Sequence, residues 1–477
     1  MKILTLFNIQ FGRITALSQL FRRKSVNTMI SQSQNKMLNR TMGVMDLIFL
    51  GVGCVIGTGI FVITGVVAAE SAGPAILLSF VLAGIACALA AFCYAEFSSA
   101  VPLSGSVYTY TYATLGEFFA FLIGWDLMLE YVLAIAAVAT GWSAYFQSLI
   151  AGFNIVLPAS ISSAPGLDKG GIVDLPAMLI ILGITALVSK GVKESIKFNN
   201  IMVFVKLGVI LLFIIVGVWY VKPDNWTPFM PFGFDGVITG AATVFFAYIG
   251  FDVIATASEE VKNPGRTMPI GIIGSLAICT ALYIAVSTVL TGMIPFTQLN
   301  VGAPVSLALE SVGQNAVAGI ISIGAVMGIT TVILALVYAQ VRLSYAMSRD
   351  GLLPKMLSSV NSKTKTPFKN TWLTGIVAAC IAGFVDLSTL AHLVNMGTLA
   401  AFTLISIAII VLRKKFPELK GSFRVPFVPV LPIISALLCI GLAVSLPGIT
   451  WISFVIWLAI GTSIYFLYSR KHSKLNN

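Results

Sequence analysis

The sequence predicts an all-α membrane protein of twelve transmembrane helices. Three observations predict it: composition, the spacing of apolar runs and the distribution of basic residues. Of the 477 residues, 58% are hydrophobic and 10% charged, with a mean hydropathy of +0.97, far outside the range of a soluble chain of this length. At about 20 apolar residues per crossing, runs centred near 56, 84, 133, 182, 210, 247, 281, 330, 378, 400, 438 and 459 make twelve spans. Ten-residue units of alternating polarity do not recur, which excludes a β-barrel.

With the N-terminus inside, 26 of the 29 Lys and Arg fall in inside segments, Lys169 and Lys222 fall outside, and Lys206 lies within a span. This asymmetry places both termini in the cytoplasm, and the cell (plasma) membrane is the expected location of the multi-pass chain. It also explains the net charge of +11 as a topological feature facing an anionic leaflet, so nucleic acid is not an expected partner.

Residues 1–40 are a basic segment with broken apolar clusters, suited to a membrane surface and too interrupted for a signal peptide. Span 1 carries GVGCVIGTGIFVITG over 51–65, with glycine at 51, 53, 57, 59 and 65. Each glycine costs a helix interior about 1 kcal/mol relative to alanine, so the helix is expected to open. In lipid, the freed N–H and C=O groups must then be met by protein or by a ligand. Gly57-Thr58-Gly59 is thus a candidate binding site, with close helix packing through the Gly53/Gly57 GxxxG pair as the alternative. Neither the spacing nor the surroundings fit a dinucleotide fingerprint.

Span 2 follows Gly73-Pro74, and the Pro-, Gly- and Ser-containing stretch after it reads as a tight loop. Span 3 starts near Glu117 and carries Asp126 and Glu130 on one helix face. Glu130 lies roughly 20 Å into a core about 30 Å thick, so it faces a cavity, a partner helix or a proton rather than lipid. The residues 152–174 form the longest external loop. Span 5 is apolar except for Lys206, which at a helix centre costs about 2.5–3.5 kcal/mol unpaired. A place inside the bundle, where a lysine can release and regain a proton, competes with snorkelling to the interface.

Span 6 holds FFAYIGFD, with Gly250 and Asp252 at midplane depth. Tyr248 enters about 18 Å from outside and Gly57 about 20 Å from inside, so two irregular points meet. Spans 1 and 6 are both discontinuous and lie five crossings apart, the layout of a 5+5 inverted repeat. The repeats are 41–222 and 236–412, followed by two C-terminal helices in 425–469 and a cytoplasmic tail, 470–477.

No catalytic, metal or cofactor chemistry is legible. The six cysteines lie in apolar spans without a zinc or disulfide framework, and His392 and His472 are far apart. No phosphate loop is present, and no nucleophile–base set points to an enzyme.

The motifs VMDLIFLGVGCVIGTGIF, VPLSGSVYTY, GWDLMLEY, FFAYIGFD, EEVKNPGRTMPIGI and RLSYAMSRDGLLP together resemble the amino acid-polyamine-organocation (APC) transporter superfamily. Within it, the chain is most similar to bacterial homologues of the cationic amino acid transporter family, from about residue 37 onward. The resemblance implies the LeuT-like APC fold and secondary active transport. It implies that the substrate carboxylate binds backbone of span 1, at Val55, Ile56, Gly57, Thr58 and Gly59, an anion site suited to free N–H groups. Carbonyls of Phe246, Ala247 and Ile249 would accept from the α-ammonium. Glu130 and Leu336 would select the side chain, and Lys206 would couple transport to protons, the only coupling species expected.

Glu130 argues for a cationic substrate such as arginine or lysine. Cys54, Phe246, Ile249 and Leu336 argue for a small apolar one, and uptake of neutral L-amino acids such as alanine is the expectation. A membrane sensor or channel is the reading of another class. The inside segments are short for a signalling domain, and no ring of charges marks a pore. A small accessory membrane subunit stays open as a partner.

Overall fold

The computed structural model describes residues 22–23, 42–100, 106–166, 170–191, 196–417, 419 and 421–476. Most of the basic segment 1–40 and the loop 101–105 therefore lie outside the described residues. All named elements among the described residues are helical, and the only β-pairings there are two isolated bridges, Met42 with Val261 and Ser162 with Asp174.

The first helix among the described residues, α1 (Val44–Val55), starts where Asp46 accepts the Gly43 N–H at 2.9 Å. It stops at Ile56, whose ψ of 102° is extended. The chain resumes as α2, the run 59–72, in which α-helical Thr64–Val67 is flanked by wide π-type turns. Gly73, at φ +60°, and Pro74 then reverse the chain into α3 (Ile76–Ala100). A left-handed φ favours glycine.

After the short α4 (Ser106–Thr114) come α5 (Glu117–Ala151), α6 (Leu175–Ser189) and α7 (Ile196–Gly217). Asp174 caps α6, accepting the Ala177 N–H. α8 (Gly233–Val244) tightens to a 3-10 turn over Phe245–Tyr248. It then breaks at Ile249 and Gly250, the latter at φ +114°, before the short α9 (Val253–Thr256). The second half follows with α10 (Pro264–Met293), α11 (Pro304–Ser311), α12 (Asn315–Arg349), α13 (Phe368–Phe384), α14 (Leu387–Lys415), α15 (Val430–Val444) and α16 (Gly448–Ile464).

Eight helical runs among the described residues are long and apolar enough to cross a membrane. One of them, Gly59–Ala100, takes in α2 as well as α3, while α6, α13 and α15 have 15, 17 and 15 residues. The chain is a multi-pass membrane protein.

One departure from the sequence reading lies before α5. The stretch read as a loop contains a helix, α4, because its alternate tyrosines are buried. Tyr110 stacks on Phe97, and Tyr108 donates to Asp350 Oδ2 at 2.8 Å. Aromatic burial outweighs the turn signal of the preceding Pro and Gly.

The long α5 packs against α12 and α14, and α10 packs against α1 and α3. Two polar clusters tie helix ends together. Arg413 forms a fork on Glu96 (2.7 and 2.8 Å) and donates to Val425 O, while Glu96 also accepts the Val425 N–H. Glu117 is fully buried at the start of α5 and accepts from Tyr112, Tyr465 and Ser473, with Arg22 at 3.6 Å.

Candidate functional site

The two breaks meet. α1 ends at Val55 and α8 ends in Phe245–Tyr248, and between them lies a small, partly open cavity. Its wall is Cys54, Val55, Gly57, Thr58, Gly59, Ala134, Val138, Phe246, Ile249, Val332 and Leu336. No charged side chain is among them.

The glycines of span 1 serve the break and the packing together. A Cβ on Gly53 would lie 2.8 Å from Asn199 Oδ1 and 2.9 Å from Val203 Cγ2 on α7. One on Gly59 would fall on the main chain of Ala247. Close approach of α2 to the broken end of α8 therefore requires glycine at 59. Thr58 anchors the opened segment to α5 by donating to Val138 O at 3.1 Å, and it sits over Gly141, where a Cβ would collide with it. Tyr145 adds a second anchor on Phe61 O at 2.9 Å. A helix that restarts at Gly59 has no preceding turn to take its first N–H groups, and residues 57–59 line the cavity. Free N–H groups at a helix opening carry partial positive charge, which is chemically suited to an anionic group.

Lys206 is fully buried, and its Nζ donates to Gly53 O at 2.6 Å. In a continuous helix that carbonyl would accept from Gly57 N–H four residues on. The exit at Ile56 frees it, and the lysine takes it. The stem of Lys206 crosses Gly328 of α12, where a Cβ would sit 2.8 Å from its Cγ. The ammonium thus points into the bundle, against the broken helix, and not out to the interface.

Of the residues expected at the site, the structure brings Val55, Gly57, Thr58, Gly59, Phe246, Ile249 and Leu336 around one cavity. Ile56 is fully buried at the bend and does not line it. Ala247 stands behind the wall, against Gly59, and its carbonyl accepts from Tyr283 Oη at 2.5 Å; the same hydroxyl lies 3.1 Å from Val55 O. Glu130 also lies away from the wall. Its Cβ faces Gly397 of α14, in a buried group with Asp126 and Asp252, whose Oδ2 accepts from Tyr131 at 3.0 Å.

Sequence reasoning missed Ala134, Val138, Val332 and Tyr283. Three of these carried a usable signal: Ala134 and Val138 follow Glu130 at successive intervals of four, and Val332 precedes Leu336 by four, so each pair shares a helix face. Nothing in the sequence marks Tyr283.

The family model described as amino acid permease matches residues 42–468. The chain is 70% identical over 460 residues to the methylthioribose transporter of Bacillus subtilis strain 168, covering 96% of this chain and all of that protein. It is 56% identical over 461 residues to the branched-chain amino acid permease of the same organism, covering 96% and 99%. It is also 41% identical over 381 residues to human cationic amino acid transporter 4, covering 79% of this chain and 60% of that protein. These relatives are transporters, not enzymes. A multi-pass bundle whose two interrupted helices face each other across a small cavity, matched over nearly its whole length by such proteins, belongs to the amino acid permease family of the APC superfamily, with kinship to the cationic amino acid transporters.

Proposed function

We propose that the protein is a proton-coupled importer of neutral L-amino acids with small or branched apolar side chains, working by alternating access. The observation that carries this is the cavity wall: backbone at two helix breaks and neutral side chains, with no carboxylate to balance a cationic substrate. The opening of α2 takes the carboxylate, and carbonyls near Phe246 and Ile249 take the ammonium. Ala134, Val138, Val332 and Leu336 receive the side chain. The relative at 56% identity, named for branched-chain amino acids, supports the same class. Arginine or lysine is disfavoured, because Glu130 lies outside the wall.

The architecture behind this reading is twelve crossings in a 5+5 inverted repeat, with α1/α2 and α8/α9 as the two broken helices, two added helices at the C-terminal end, and both termini cytoplasmic in the cell membrane. In the coupling step, protonated Lys206 holds Gly53 O. Loss of the proton weakens that bond and favours the other access state.

A second reading has one specific support, the relative at 70% identity named for methylthioribose. A neutral sugar bearing a methylthio group would suit the apolar wall and make no use of a site for a zwitterion. Uptake of labelled alanine, leucine, arginine and methylthioribose into proteoliposomes, with and without an inside-alkaline pH gradient, separates these. Gradient-driven accumulation of alanine or leucine is the expected result. Accumulation of methylthioribose alone overturns the amino acid reading.

A further inference from the structure

The end of α8 is capped from another helix. The last carbonyls of a helix have no N–H partners of their own, and inside a membrane bundle such groups need protein partners. Asn395, fully buried on α14, donates to two carbonyls of this end, Ala242 O at 2.8 Å and Thr243 O at 3.1 Å, the second shared with the Phe245 N–H. Both partners are acceptors only, so the amide nitrogen has to face α8. The amide oxygen on its other side has no partner among the described residues. A buried acceptor left unmet works against stability, and a leucine would fill the same space without that cost. One turn earlier, His392 Nε2 lies 3.4 Å from Thr243 Oγ1, a second polar contact on the same helix end.

What this cap fixes lies just beyond it. The 3-10 turn places Phe246 in the cavity wall, Ile249 follows, and Gly250 then approaches the other broken helix so closely that a Cβ would lie 3.0 Å from Cys54 O. We propose that Asn395 is a positioning residue: it caps α8 in trans, and by doing so sets the separation of the two broken helices and the width of the cavity between them. The inference rests on the substrate site proposed above.

The test uses Asn395→Leu, which keeps the forked shape and removes both donors, and Asn395→Ser, which keeps one. In proteoliposomes, Asn395→Leu raises the half-saturation concentration for uptake by roughly tenfold or more, the worth of one to two hydrogen bonds. The maximal rate changes less, and Asn395→Ser falls between Asn395→Leu and wild type. A second readout does not depend on the substrate. Cys54 is buried but lines the cavity at 7% exposure, Cys380 is exposed, and the other four cysteines have no exposed surface. In a Cys380→Ser background in detergent, N-ethylmaleimide therefore reports on the cavity wall through Cys54. Severalfold faster alkylation with Asn395→Leu supports the positioning role; Asn395→Ser takes its place in both readouts if the leucine variant does not fold. Alkylation at the wild-type rate overturns it, as does a half-saturation concentration equal to wild type in the leucine variant. If the wild-type protein transports none of the offered substrates, the functional reading falls, and the alkylation comparison still decides on Asn395.

Discussion

Replacing Lys206 by methionine removes the ammonium and keeps the apolar stem that runs past Gly328. Lys206 Nζ donates to Gly53 O at 2.6 Å in a fully buried setting, the geometry of a charge-assisted bond, for which about 1.5–3 kcal/mol is typical. Removing it shifts the balance between access states by roughly ten- to a hundredfold and leaves no proton to exchange at this position. With one proton moved per substrate, each pH unit supplies about 1.4 kcal/mol and sustains about tenfold accumulation of a neutral substrate. In proteoliposomes under an imposed pH gradient, wild type is expected to concentrate its substrate to that extent. Lys206→Met and Lys206→Ala are expected to level off at the external concentration while still exchanging labelled for unlabelled substrate. Lys206→Ala is the less stable of the two, because it also empties the space beside Gly328. Accumulation by Lys206→Met to the wild-type level would refute the assignment of coupling to this lysine.

Gly59→Ala places a Cβ on the main chain of Ala247; uptake is expected to fall at least tenfold and stability by about 1–3 kcal/mol, read as a lowered melting temperature, and unchanged uptake would mean that the two helices need not approach. Asp174, at the N-terminal end of α6, is pushed up from 3.8 to about 6 by burial, which outweighs the hydrogen bonds from Ser143 and the Ala177 N–H. A folded-state value above the unfolded one gives stability that is complete below the unfolded value and lost as pH rises through about 6. Between pH 4 and pH 8 the wild type should therefore lose on the order of 3 kcal/mol at most relative to Asp174→Asn, seen as a steeper decline of melting temperature. Glu130→Gln is expected to leave the half-saturation concentration for a neutral substrate within about twofold, because Glu130 is absent from the cavity wall; by the scale of 1.4 kcal/mol per tenfold change, a tenfold rise would put its carboxylate in contact with substrate.

Much of the site was legible because backbone irregularity leaves a mark in composition. Glycines at 57 and 59, and the FFAYIGFD stretch with its Gly250, announce positions where a helix cannot easily continue, and the structure breaks at both. Lys206 was legible for a similar reason, a single charge in an apolar span. Glu130 shows where such reasoning stops. Its approximate depth was readable, but the height along α5 at which the cavity sits was not: Ala134 and Val138, one and two turns further on the same face, reach the wall while Glu130 meets α14. Tyr283 and Asn395 were hidden because their role is a hydrogen bond to a carbonyl on another helix, which leaves no local pattern. The helix over Ser106–Thr114 was obscured by turn residues just before it.

The arrangement at Glu117 bears on how this protein can be handled. Its carboxylate joins three parts of the chain that are remote from one another in sequence: Arg22 ahead of α1, Tyr112 ahead of α5, and Tyr465 with Ser473 near the far end. Lys474 N–H adds a bond to Asp350 O beside it. An affinity handle spliced directly after Ser473, or a deletion that removes Arg22, would pull on one shared knot, so purification strategies that look innocuous at either extremity are expected to alter the same inner seam.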